Sequence, residues 1–149
     1  MLSKILVPTD GSETARKAVK YAAELAKQVN ASIILLSVID RSAFIASAIP
    51  PEAAPTHLTE PIEEYLRTAI EAHLEEEREM CRKNGVKATK LVSTGHPVTE
   101  IISEAERSNV DLIVIGSHGR SAIASALLGS VTYGIIHKDT RFPVLVIRK

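Results

Sequence analysis

The chain is 149 residues long, with 45% hydrophobic and 24% charged residues, and its 18 basic and 18 acidic side chains give a formal net charge of zero. This balance argues against a dedicated nucleic-acid binder, which usually carries a basic excess, and an aromatic content of 3% disfavours a base-stacking platform. The single cysteine cannot form an intrachain disulfide and suits a reducing cytoplasm. No segment approaches the roughly 20 apolar residues that span a bilayer, so we expect one soluble cytoplasmic domain over residues 1–149.

The first half of the chain predicts two strands and two helices. Residues 5–7 form a short buried strand, and residues 12–29 place alanine, leucine and valine on one helical face. A second apolar run, 32–38, predicts the next strand. Residues 40–60 carry three prolines and form an irregular stretch too long for a simple connection, which is typical of a functional loop. A helix is predicted from about 61 to 84, before a glycine.

The second half repeats this alternation. Residues 87–93 predict a third strand, and a proline at the first helical position opens a helix over 97–108. Residues 111–115 predict a fourth strand, a turn rich in glycine and serine leads to helical residues through about 139, and 143–147 predict the last strand. Strands that alternate with helices indicate an α/β fold, an open parallel five-stranded sheet with helices on both faces.

The last strand predicts an association. An apolar strand at a sheet edge needs a partner. Pairing of residues 143–148 with the same strand of a second copy would close both edges as a homodimer.

Two turns carry the residues best suited to a ligand. In open parallel sheets, ligands bind beyond the carboxyl ends of the strands, where the strand order reverses. Pro8-Thr9-Asp10 follows the first strand, and a turn from Gly116 to Arg120 follows the fourth. Further on, Gly129-Ser130 opens a helix, whose free amides and positive dipole end suit phosphate. Alternatively, Asp10 or Ser12 caps the first helix, and the glycines serve only to connect the fourth strand to the helix that follows.

The spacing Gly116-x2-Gly119-x9-Gly129-Ser130 resembles the ATP-binding signature of the universal stress protein family. The opening segment 5–12 and the end of the chain from Pro143 are similar to that family as well. The resemblance implies an adenine nucleotide alpha hydrolase-like sheet of order 3-2-1-4-5, whose reversal lies between the first and fourth strands. A flavodoxin-like order, 2-1-3-4-5, would instead point to the turn 94–96.

The resemblance also implies a role for each candidate position. Asp10 would bind the ribose hydroxyls, Pro8 and Thr9 would flank the adenosine, and the backbone of Val38 would meet the adenine edge. The positions implied on the ribose and phosphate side are Gly116, Ser117, His118, Gly119, Arg120, Gly129, Ser130, Val131 and Thr132. Arg120 and His118 could instead be solvated turn residues. Mg²⁺ or Mn²⁺ is expected to accompany ATP by bridging phosphate oxygens.

Fast catalysis is not predicted. No Walker lysine precedes Ser130, and no residue clearly provides a base for an attacking water. The leading hypothesis is therefore a homodimeric, ATP-binding regulator or sensor of the stress response. The alternatives are a slow ATPase or autophosphorylating protein, and a nucleotide-free module that binds unknown protein partners.

Several other polar residues are expected to be unremarkable. The run Glu75-Glu76-Glu77 predicts a solvated helix face. The histidines outside the turns show no metal-ligand spacing and are expected to be surface or packing residues; they are His57, His73, His96 and His137. Cys81 is expected to be inert.

Overall fold

A computed structural model of the chain describes residues 1–40, 59–119, 128–138 and 141–149. The strands are β1 (Lys4–Pro8), β2 (Ser32–Ile39), β3 (Ala88–Thr94), β4 (Leu112–Gly116) and β5 (Val144–Ile147). The helices in the described ranges are α1 (Glu13–Val29), α2 (Thr59–Lys83), α3 (Pro97–Arg107) and α4 (Ser130–Lys138). These bounds agree with the predicted elements to within two residues. The interior of the predicted irregular stretch, 41–58, lies outside the described residues.

The strands pair in parallel in the order β3-β2-β1-β4-β5. The predicted order is therefore confirmed, and the flavodoxin-like alternative is wrong. The reversal falls between β1 and β4, because the chain leaves β1 for β2 on one side and reaches β4 only later on the other. Consequently, the turns after β1 and β4 lie beside each other at the carboxyl edge of the sheet.

Helices cover both faces of the sheet. Ile5 and Leu35 point to the face under α1 and α2, where they join a buried cluster that includes Leu74. Leu6 and Leu36 point to the opposite face, under α3 and α4. Strands that are buried on both faces read as continuous apolar runs, which explains the composition of β1, β2 and β4. No helix in the described ranges is both long enough and apolar enough to cross a membrane.

Cys81 belongs to the core under α2 and is fully buried. Burial raises the pKa of its thiol to about 11. The thiol is therefore protonated at neutral pH, where only the thiolate reacts as a nucleophile. This environment favours an inert thiol, and the inertness of Cys81 stays a prediction.

At the amino edge of the sheet, Asp111 ties the start of β4 to the start of β1. Its Oδ2 accepts hydrogen bonds from the Ser3 amide (2.9 Å), the Ser3 hydroxyl (3.0 Å) and the Lys4 amide (3.0 Å). These hydrogen bonds, the one from the Ser3 amide above all, lower the pKa of Asp111 below its ordinary value of 3.8.

An Asp111→Asn variant is expected to lower the free energy of unfolding at neutral pH, because a neutral amide oxygen accepts hydrogen bonds from the three donors more weakly than a carboxylate does. The difference from wild type should shrink as the pH falls. A carboxylate whose folded-state pKa is lowered stabilises the protein above its unfolded-state pKa and loses that effect as the pH falls through the folded-state value. Urea unfolding of both proteins between about pH 7 and about pH 3 measures this. A difference that stayed constant with pH would contradict the assignment.

Candidate functional site

A cavity of about 220 Å³ opens at the carboxyl ends of β1, β2 and β4. Most of its wall is apolar, as is usual for small-molecule sites, with polar groups at a few points. The predicted positions that line it are Pro8, Thr9, Asp10, Val38, Gly116, His118, Gly119, Val131 and Thr132. Ser117, Gly129 and Ser130 are described but do not line it, and Arg120 lies outside the described residues.

The turn after β1 is shaped by its own polar side chains. Gly11 has a φ of +77°, a left-handed conformation that glycine adopts at no steric cost. Asp10 Oδ1 accepts a hydrogen bond from the Ser12 amide at 2.9 Å, and Ser12 Oγ accepts one from the Ala15 amide at 3.2 Å. Ser12 is therefore the N-cap of α1. Asp10 shapes the turn before the cap and lies at the cavity wall.

The glycines of the second turn allow three close approaches. A Cβ on Gly116 would lie 2.9 Å from Thr14 Cγ2, so this glycine lets α1 pack against the end of β4. A Cβ on Gly119 would lie 2.6 Å from Asp10 Oδ2. A Cβ on Gly129 would lie 3.2 Å from the Ser117 carbonyl oxygen, to which the Gly129 amide donates at 2.6 Å. The two turns are therefore in direct contact beside the cavity.

Helix α4 begins beside this turn, since Gly129, the residue before it, contacts Ser117 and His118. The first intrahelical hydrogen bond runs from the Tyr133 amide to the Gly129 carbonyl, so the amides of Ser130, Val131 and Thr132 have no acceptor within the helix. The Thr132 hydroxyl donates to the Gly116 carbonyl at 2.8 Å and fixes α4 against β4. Backbone amides, rather than side chains, are thus the groups that α4 offers to a ligand.

The end of β2 offers backbone groups as well. The Leu36 carbonyl accepts from the Thr9 amide, whereas the Ile39 carbonyl accepts from the Gly95 amide on the β3 side. Residues two apart in a parallel strand direct their polar backbone groups to the same side. Val38 therefore directs its N–H and C=O toward the β1 side, at a level of the sheet that β1 no longer reaches. The Gly11 amide, which comes after β1 in the chain, donates to Thr9 Oγ1 and not to Val38.

On the α2 side, the prediction for the run of three glutamates is wrong at one position. Glu76 is exposed and pairs with Arg16, and hydrogen bonds from Arg78 and then Lys90 lower the pKa of the surface carboxyl of Glu75 to about 2. Glu77, however, is only 1% exposed, and its Oε1 accepts a hydrogen bond from the Thr9 hydroxyl at 2.8 Å. This part of α2 rests on the sheet, so only part of the run faces solvent.

Sequence reasoning also missed cavity residues on α2 and β2. His73, expected at the surface or in packing, lines the cavity together with Ile70 and Ser37. The Ser37 hydroxyl donates to the Thr9 carbonyl at 2.5 Å and so ties β2 to the turn after β1. No local signal marks Ser37. The spacing of His73 and Glu77, four residues apart on a helix, could have indicated a shared face.

Within the described ranges, no group of three or more histidine, cysteine, aspartate or glutamate residues is placed to hold a metal ion.

Comparison with known proteins agrees with this architecture. The model of the universal stress protein family matches residues 1–148. Universal stress protein MJ0531 of Methanocaldococcus jannaschii is 35% identical over 149 residues, which cover all of this chain and 84% of that protein. Universal stress protein MJ0577 of the same organism is 34% identical over 157 residues, which cover all of this chain and 96% of that protein.

Solved structures show the same fold. That of hypothetical protein MJ0577 matches with a TM-score of 0.86 and 32% identity, over all of this chain and 97% of that chain. A universal stress protein solved in complex with cAMP has a TM-score of 0.71 over 99% of this chain and 97% of that one, and at 24% identity this likeness shows the fold alone. With a match over nearly its whole length, the chain belongs to the universal stress protein family.

Proposed function

We propose that this chain binds ATP in the cavity at the carboxyl edge of the sheet and acts as a homodimeric regulator or sensor of the stress response. The observation that carries the proposal is the contact between the two turns. Asp10 lies directly against Gly119, and Gly129, just before the start of α4, is hydrogen-bonded to Ser117 of the same turn. A ribose beside the carboxylate would thus place its phosphates at backbone amides and a helix N-terminus.

The two ends of the cavity suit the two ends of a nucleotide. The cavity wall includes the apolar side chains of Leu36, Val38 and Ile70, and we propose that a flat base lies among them with its polar edge at the outward backbone groups of Val38. Around Gly119 the wall is backbone, where an anion can approach closely because no Cβ intervenes. This division assigns the base to β2 and the phosphates to the turn after β4.

The proposal assigns Mg²⁺ or Mn²⁺ to the phosphate oxygens. Magnesium usually keeps several waters and takes few protein ligands, so it requires no preformed cluster of carboxylates. Hydrolysis is proposed to be slow, because no Walker lysine precedes Ser130 to reach the phosphates.

The test has two steps. Freshly purified protein is denatured, and the released small molecules are identified by mass spectrometry. ATP or ADP in near-stoichiometric amount is the expected result. If none is released, calorimetric titration with Mg²⁺ and ATP to millimolar concentration follows, and an absence of heat there would refute the proposal. The result would then favour the nucleotide-free interaction module.

The homodimer is proposed to form through β5. This strand is bonded only to β4 within the described sheet, and its four residues are all half-buried. The carbonyls of Pro143 and Ile147 accept hydrogen bonds from β4, so Val144 and Val146 direct their backbone groups away from it. A second copy could pair with this free edge.

A Val146→Pro variant is expected to convert the dimer to a monomer. The N–H that proline lacks would point away from β4, so pairing with β4 is retained. The hydrogen bond that is lost is the one to the partner strand. Sedimentation equilibrium at tens of micromolar protein measures the mass. Val146→Thr, which keeps the amide and the strand preference, is the control and should remain dimeric. A monomeric wild type, or a Val146→Pro variant that stays dimeric, would contradict this interface.

A further inference from the structure

Glu77 is a buried carboxyl group on the side of the sheet that α2 covers. The residue is only 1% exposed, whereas the side chain of its neighbour Glu76 is 65% exposed. Burying a carboxyl group costs free energy that an apolar side chain at the same position would not cost. What Glu77 supplies, and an apolar side chain cannot, is a hydrogen-bond acceptor.

The acceptor serves the turn after β1. The Thr9 hydroxyl donates to Glu77 Oε1 at 2.8 Å. The second oxygen, Oε2, lies 3.6 Å from His73 Nδ1, which is longer than a hydrogen bond, and it has no partner among the described residues. Within the described ranges, Glu77 therefore acts on its surroundings by hydrogen bonding through Thr9.

The same hydroxyl oxygen shapes the turn. Thr9 Oγ1 accepts a hydrogen bond from the Gly11 amide at 3.2 Å, while its own hydrogen goes to Glu77. An oxygen that is bonded on both sides holds its side chain in one rotamer. Without the carboxyl group, the hydroxyl is free to turn to another acceptor, and the Gly11 amide loses a fixed partner. Asp10 stands between Thr9 and Gly11 in the chain, so its position depends on both.

Asp10 is held closely on its other sides as well. Its Oδ1 accepts a hydrogen bond from the Ser12 amide at 2.9 Å, and its Oδ2 lies 2.6 Å from the point that a Cβ on Gly119 would occupy. Hydrogen bonds weaken steeply when their angle departs from the preferred range. A small shift of the segment from Thr9 to Gly11 would therefore weaken a contact between the Asp10 carboxylate and a ligand.

We propose that Glu77 is a positioning residue of the nucleotide site, which acts through the Thr9 hydroxyl to hold Asp10 where the ribose hydroxyls meet it. This inference rests on the proposed nucleotide-binding function. Thr9 and Asp10 line the cavity, so Glu77 can influence the ligand without touching it.

The test compares the affinities of ATP and 2′,3′-dideoxy-ATP by calorimetry. Their ratio reports the ribose contact, because a loss of stability weakens the binding of both ligands alike. In Glu77→Leu the preference for ATP should fall about threefold to tenfold. Glu77→Gln keeps an oxygen acceptor for the Thr9 hydroxyl and should retain most of the wild-type preference. Glu76→Leu, at the exposed neighbour, is the matched control and should keep the wild-type ratio.

A double-mutant cycle tests the route from Glu77 to the site. Thr9→Val removes the hydroxyl with little change of shape and should lower the preference for ATP as Glu77→Leu does. In the double variant the preference should fall no further than in Thr9→Val, because both changes break the same connection. Losses that multiply in the double variant would show that Glu77 does not act through Thr9, and would overturn the inference.

The outcomes separate this inference from the proposed function. A wild-type ratio in Glu77→Leu would overturn the role of Glu77 while ATP binding stands. A wild type that binds neither nucleotide would overturn both, and one that binds both equally would overturn the ribose contact of Asp10 together with this inference. If Glu77→Leu does not fold, Thr9→Val decides. A lowered preference for ATP there supports the inference, and a wild-type ratio overturns it.

Discussion

A Gly119→Val variant is expected to lose about a hundredfold in ATP affinity while it remains folded. The new Cβ would lie 2.6 Å from Asp10 Oδ2, closer than real contacts allow, so the carboxylate or the turn must move. The bulk of valine also fills the space where the backbone would approach the phosphates. Both changes act on the ligand rather than on the core, since Gly119 lies at the cavity wall.

Calorimetric titration of wild type and Gly119→Val with ATP measures this effect, and thermal unfolding verifies the fold. Gly85→Ala is the matched control. Gly85 also occupies a special position, with a φ of +77° after the end of α2, but a Cβ there meets nothing within 4 Å. This control should lose about 1 kcal/mol of stability and keep its ATP affinity. Equal affinities in wild type and Gly119→Val would show that the phosphates do not lie on this turn.

The second large effect is expected at Asp10. Asp10→Ala should weaken ATP binding about tenfold to a hundredfold, because a hydrogen bond to a charged group contributes about 1.5–3 kcal/mol. It also removes the acceptor of the Ser12 amide, which holds the turn. Asp10→Asn retains an oxygen for that amide and should therefore show a smaller loss, which reports mainly the contact with the ligand.

A ligand lacking the hydroxyls separates the two causes. If Asp10 binds the ribose, wild type should bind 2′,3′-dideoxy-ATP much more weakly than ATP, and Asp10→Ala should bind both ligands about equally. Asp111→Asn, at the opposite edge of the sheet, is the control and should discriminate as wild type does. A variant Asp10→Ala that still prefers ATP would place the ribose contact elsewhere.

Much of the fold could be predicted from local sequence. Strands such as β4 are continuous apolar runs because both of their faces are buried, and helix ends coincide with residues that permit them, such as Pro97 at the start of α3. The order of the strands in the sheet could not be predicted from local sequence. Periodicity carries no information about which strands pair, and the order came from the resemblance of the glycine spacing to a family.

The site could be predicted where backbone shape decides its chemistry. Gly116 and Gly119 are spaced within one turn, so the sequence predicts the close backbone approaches that the structure shows there, whereas their contact with a ligand stays a prediction. The contact between Thr9 and Glu77 is not visible, because it joins residues 68 positions apart. Which of the three consecutive glutamates is buried depends on the face of α2 that packs on the sheet. The same packing of α2 on the sheet brings His73 to the cavity wall, and its spacing of four residues from Glu77 is the sequence signal that could have indicated this.

The central claim, that an adenine nucleotide binds at the carboxyl edge of this sheet, is tested most directly by amide NMR during titration with Mg²⁺ and ATP. Shifts are expected at Val38, Gly119, Val131 and Thr132, which line the cavity. Amides at the amino edge, such as those of Ser3 and Lys4, should stay unchanged. Shifts confined to other surfaces, or none at millimolar ATP, would show that no adenine nucleotide binds at this edge.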